Sequence, residues 1–92
     1  MLNKYFEDKY LEEVKAYVEG TYEQHYSNDE IQLIDIWKSR GTLESTAVDV
    51  AIKYLWRYGK KEGFNRKDLL KAVHYILMAM HAQDIREGYN KK

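Results

Sequence analysis

Lys53, Arg57 and Lys60 stand four and three positions apart, with Lys61 directly behind. On a helix at 100° per residue the first three fall within about 60° of one another. Asp68, Lys71 and Tyr75 follow at i, i+3 and i+7, so they share a side of a second helix. These residue types suit a phosphate. An Arg guanidinium is a planar fork for two oxygens, and Lys ammonium groups act as point charges. Asp68 can hold Arg57 or help bind Mg2+, and Tyr75 can stack on a base or bond a ribose. By spacing alone, basic residues in such a stripe are more often a solvated helix face.

The aromatic residues of IKYLWRYGKK (52–61) do not form one platform. Trp56 lies between the basic stripe and the apolar edge, while Tyr54 and Tyr58 flank the other edge. Binding of single-stranded nucleic acid by successive stacked rings is not expected. Elsewhere, His25 is a candidate base or phosphate donor, and Asp35 can reach a metal or pair with a lysine. His74 and His81 are seven apart, two turns, which is too far for one ion without other ligands, so no metal site is expected. There is no cysteine nucleophile, no GxSxG and no GxxxxGK[ST].

The elements that must carry these residues read as helices. Phe6, Tyr10, Val14, Tyr17 and Val18 recur at helical spacing, predicting a first helix over Asn3–Glu19 that stops at Gly20. Residues 21–29 read as a loop. Ser27 with Glu30 matches a capping box and predicts a second helix to Arg40, although IQLIDI (31–36) also alternates like a strand. A third helix spans Leu43–Tyr58, capped by Thr42 or Ser45, with Val48, Ala51, Ile52 and Leu55 toward the core. The fourth starts at Asn65, whose side chain can cap it, and reaches Arg86 with Leu69, Val73, Ile76, Leu77 and Met80 along one face. The fold class is therefore all-α, with three to four helices dominated by a C-terminal antiparallel hairpin.

At 92 residues with 45% apolar content, this is one small domain (1–92) with a thin core and no cysteine to brace it, so a homo-oligomer is expected. Net charge is zero, but residues 1–46 hold 5 basic and 10 acidic side chains and residues 47–92 hold 10 and 5. Seven Lys/Arg fall between Lys53 and Lys71. A neutral chain argues against a general nucleic-acid binder and fits a small anion. No apolar run is long enough to span a membrane, and MLNKYFEDKYLEE lacks the apolar stretch of a signal peptide. The cytoplasm is the expected location.

His25–Tyr26, IQLID at Ile31–Asp35, AIKYLWRYGKK at Ala51–Lys61 and DLLKAVHY at Asp68–Tyr75 resemble, in order and spacing over residues 25–80, the SaV-like phage protein family. That resemblance implies a phage or prophage origin and nucleotide-kinase-like character without a P-loop, with Mg2+ accompanying a nucleotide. Carried over, it nominates Lys53, Arg57, Lys61, Asp68, Lys71 and Tyr75, with His25, Tyr26, Asp35 and Tyr54 beside them; Trp56 enters from the helical placement. The family's Gly-Asn before the Ala-Ile-Lys-Tyr stretch is Asp49–Val50 here, and its Glu is Gln32. If those residues serve a metal or position a substrate, this chain binds without catalysing. Three classes follow: a nucleoside monophosphate kinase-like enzyme, a protein that sequesters a nucleotide signal, and an effector that binds a host protein.

Overall fold

Two long helices running antiparallel make the frame. The structure is a computed structural model and describes residues 4–25 and 29–88, without the side chains of 25 and 29–32. In chain order the helices are α1 (Glu7–His25), α2 (Asp29–Arg40), α3 (Leu43–Arg57) and α4 (Arg66–Glu87). The described residues contain no strand.

Register in the α3–α4 hairpin is set at both ends. Near the connecting loop the rings of Tyr54 and Tyr75 stack, with centroids 6.3 Å apart and planes 22° apart. At the far end Arg86 forks onto Glu44, with Nε 2.7 Å from Oε1 and Nη2 3.1 Å from Oε2. Small residues line the seam: Ala47 and Ala82 pack with Leu43, and Ala51 and Ala72 are buried as well. Without bulk at these positions the two backbones close together. On one side of the hairpin α2 lays Ile34 and Trp37 against the Leu43 cluster. α1 lies along α4, tied by the double contact of Arg66 with Glu13 and by the edge of Tyr17 on His74 at 6.1 Å.

The helix ends follow local chemistry. α2 ends in a Schellman motif: Thr42 N–H reaches Trp37 O, Gly41 N–H reaches Lys38 O, and Gly41 takes φ +77. α3 runs into a type II turn in which Lys60 N–H reaches Arg57 O and Gly59 adopts φ +84. Asn65 Oδ1 accepts from Lys67 N at 2.9 Å and caps α4, and Gly88 closes it at φ +86.

Several expectations are corrected. The first helix does not stop at Gly20 but continues to His25, so the 21–29 loop is largely helix. An interior glycine costs only about 1 kcal/mol, and the following turn is held by Thr21 Oγ1 bonding to Tyr17 O. Phe6 lies before the helix at φ +63 and is exposed. IQLIDI is part of the expected second helix and not the strand its alternation also allowed, because Ile34 and Trp37 are spaced to reach the hairpin together. Ser27 of the expected capping box lies outside the described residues. Thr42 makes no side-chain cap to α3; its hydroxyl bonds back to Trp37 O instead. The largest correction concerns the core. Val48, Ile52 and Leu55 of α3 are exposed, as are Ile76, Leu77 and Met80 of α4, and the seam is alanine.

Candidate functional site

The same packing leaves a space between α1, α2 and the inner side of the hairpin. It is a cavity of about 500 Å³. Its floor is apolar, with Ile34, Leu43 and Met78. Its polar wall comes from two helices: Lys67, Lys71, His74 and His81 from α4, and Asp35 and Lys38 from α2. Tyr17 and Tyr22 of α1 and the Tyr54–Tyr75 stack supply the rings.

Tyr54 is the electrostatic centre of one wall. Lys71 Nζ stands 5.3 Å from its ring centroid and Lys53 Nζ 5.1 Å. A ring's negative face attracts an ammonium without neutralising it. Two cations are thus held beside one ring with their charge available to a ligand. Lys38, Lys67 and Lys71 make no ion pair with a described carboxylate. Among the described side chains that line the cavity, three lysines stand against one carboxylate, Asp35, although the chain is neutral. His74 is buried, with Tyr17, Tyr22 and Tyr75 around it at centroid distances of 6.1, 6.5 and 6.2 Å.

Of the residues nominated from sequence, Lys71, Tyr75, Tyr54 and Asp35 line this cavity, and Lys53 stands at its Tyr54 wall. Arg57 and Asp68 do not line it. They face each other at the loop end of the hairpin, Nε to Oδ1 at 3.5 Å, and Arg57 Nη2 also meets Glu62 at 3.2 Å. Lys61 is exposed on the loop. Trp56 is 68% exposed, with Lys60 folded over its ring at 4.8 Å. The side chain of His25 and all of Tyr26 lie outside the described residues.

Sequence reasoning missed Lys38, Lys67, Tyr17 and Tyr22, and weighed His74 and His81 only as metal ligands. A signal for part of this was present: Lys67, Lys71, His74 and Met78 recur at four, three and four, a full face of α4. Nothing local marks Lys38, which enters through the position of α2. Among the described residues no three His, Asp or Glu side chains gather to hold a metal ion.

Ion pairs between helices, outside the cavity, shift two carboxyls. The hydrogen bond from Arg66 holds the Glu13 carboxyl below the ordinary glutamate value, and that from Arg86 does the same for Glu44. Both guanidinium groups are raised in turn by those bonds.

No helix among the described residues is long and apolar enough to cross a membrane. No curated protein and no solved structure matches the chain at a significant level. A family model does match, over residues 20–77, which run from the end of α1 through Tyr75 and so contain most of the cavity wall. The chain therefore belongs to DUF3310, a family described as protein of unknown function.

Proposed function

We propose that this chain is a phage or prophage protein of the host cytoplasm that binds a small phosphorylated aromatic ligand, a nucleotide, in the cavity between α1, α2 and the hairpin. The observation that carries the reading is the meeting of Lys38, Lys67 and Lys71 with the stacked Tyr54 and Tyr75 in one space of about 500 Å³. That volume falls within the usual range for small-molecule sites, about 300–1,000 Å³. Lys67 and Lys71 take the phosphate, and Lys53 adds charge behind Tyr54. Tyr75 or Tyr54 stacks on the base. Arg57 and Asp68, engaged with each other, fix the hairpin end from which Lys67 and Lys71 project.

The resemblance to the SaV-like family supports the same ligand class, with Mg2+ entering on the phosphates. Asp35 is the carboxylate in the cavity that such an ion would meet. One carboxylate beside phosphate oxygens fits the way Mg2+ is commonly held. Kinase-like turnover would need a second substrate aligned in the same water-poor space. Sequestration of a nucleotide without turnover needs only the binding wall, and we favour it. The substitutions at Asp49–Val50 and Gln32 relative to the family pattern favour it further.

The test is a thermal-melt panel with nucleoside mono- and triphosphates and cyclic dinucleotides, with and without Mg2+. A ligand at about 100 times its Kd adds roughly 2.7 kcal/mol, a shift of order ten degrees at this size. Lys71→Gln should then weaken binding at least about 10-fold, the loss of one charge-assisted bond, while Trp56→Ala on the outer surface leaves it unchanged. A flat panel, or affinity indifferent to Lys71→Gln and Lys67→Gln, would sink the reading and turn attention to a host protein partner. Steady-state product formation from ATP and a monophosphate would replace sequestration with catalysis.

A further inference from the structure

The core is incomplete for a chain of this size. Among the described residues the buried apolar ones are Leu43 and four alanines, and no large side chain is fully buried. The radius of gyration is 14.5 Å, against about 12 Å for a compact domain of 92 residues. The missing apolar bulk lies on the outer side of the hairpin. Val48, Ile52 and Leu55 follow at four and three on α3, and Leu69, Val73, Ile76 and Met80 follow at four, three and four on α4. At 100° per residue each stripe points well away from the cavity, by about 140° on α3 and 160° on α4. The antiparallel register set by Tyr54–Tyr75 and Glu44–Arg86 places the two stripes side by side.

From this we infer that the outer face of the α3–α4 hairpin is the docking surface for a second copy of the chain, the two hairpins forming a four-helix bundle with a cavity on each outer flank. Three features select a second copy over another occupant. The alternating four-and-three spacing on both helices is the ridge-and-groove pattern by which helices of such bundles interlock, so this face is its own complement. No stripe position carries a charge, while Asp49, Lys53, Asp84 and Glu87 are kept to the flanks and ends, the anatomy of an apolar interface centre with a polar rim. The basic excess of residues 47–92 falls off the stripes, on the loop at Lys60 and Lys61 and on the cavity side at Lys67 and Lys71, and the acidic half offsets it over the whole chain.

The area fits as well. Val48, Ile52, Leu55, Ile76 and Met80 are each between 43% and 56% exposed. Together they present on the order of 500 Å² of apolar surface, near the upper end for a patch on an ordinary monomer. Two copies burying it remove about 1,000 Å², the size at which a specific interface becomes credible.

Sedimentation equilibrium of the full chain should give twice the 11.0 kDa chain mass at micromolar concentration. Ile52→Glu and Ile76→Glu should each raise the dimer dissociation constant at least about 30-fold, the effect of a hot-spot loss, while Lys71→Gln on the cavity side leaves it unchanged. Should either variant fail to fold, methionine oxidation of the unaltered protein decides. Met80, 56% exposed in the single chain, should be protected when concentrated and become reactive on dilution. A monomer at all concentrations, an oligomer indifferent to both variants, or Met80 reactivity independent of dilution would overturn the inference. It does not depend on whether a nucleotide binds.

Discussion

Arg57 Nε stands 3.5 Å from Asp68 Oδ1, across the loop that joins α3 to α4. Asp68 is 3% exposed and occupies the first turn of α4, where its charge also favours the helix N-terminus. Neither Arg57 Nε nor Asp68 Oδ2 has a hydrogen-bond partner among the described residues, so attraction of opposite charges holds the pair. Of the two roles that spacing left open for Asp68, holding Arg57 or helping bind Mg2+, the folded chain shows the first, and the pair closes the hairpin.

Removing one member leaves a mostly buried charge without its partner. Asp68→Asn should cost about 2 kcal/mol in urea denaturation, below the range for a fully buried pair because Glu62 can take over part of Arg57. Glu62→Gln, on the exposed side of Arg57, should cost no more than about 0.5 kcal/mol. Equal costs would contradict the assignment of Asp68 as the main partner.

Ala47 is 0% exposed in the helix seam. Ala47→Leu should destabilise by about 1–3 kcal/mol, because the added atoms force the backbones apart. Val48→Leu, one residue away on the outer face, should change monomer stability very little. A tolerated Ala47→Leu would show that the seam is looser than its alanines imply.

Gly59 sits at φ +84, and a Cβ there would stand 2.7 Å from Phe64 Cε1. Gly59→Ala should cost about 1–2 kcal/mol. Phe64 is 79% exposed and can swing aside, so in a Phe64→Ala background the cost should fall toward the backbone part alone, about 1 kcal/mol. A double-mutant cycle measures the difference.

Glu13 and Glu44 have carboxyls lowered in the folded state by Arg66 and Arg86. A lowered folded value means stability that is present above the ordinary carboxylate range and lost as pH falls through the lowered value. The destabilisation caused by Glu44→Gln should therefore be present at neutral pH, shrink in acid below the ordinary glutamate value, and weaken with added salt. A penalty that grows in acid would reverse the sign argued here.

Tyr75 offers a further check on the cavity. If its ring stacks on a base, Tyr75→Ala should weaken nucleotide binding by about 1–3 kcal/mol, and Tyr75→Phe, which keeps the ring, should lose much less. A Phe variant as weak as the Ala variant would shift the role of Tyr75 from stacking to its hydroxyl.

Interactions between near neighbours were legible in the sequence. Asn65 as the cap of α4, Gly41 after α2 and Gly59 after α3 act within a few residues, so the all-α class and the hairpin followed from the residues themselves. Which faces are buried did not. A hydrophobic pattern weighs Val48, Ile52 and Leu55 above Ala47 and Ala51, yet alanine alone lets the two backbones close. Gly20 was read as a stop because its neighbours beyond α1 were unknown; the helix persists there because Thr21 and Tyr22 cover the cavity. Lys38 reaches the site only through the placement of α2, and Arg57 leaves it only because Asp68 comes within reach. Helix type is decided by neighbours along the chain. The composition of the cavity is decided by which helix faces meet, and that depends on contacts between residues far apart in sequence.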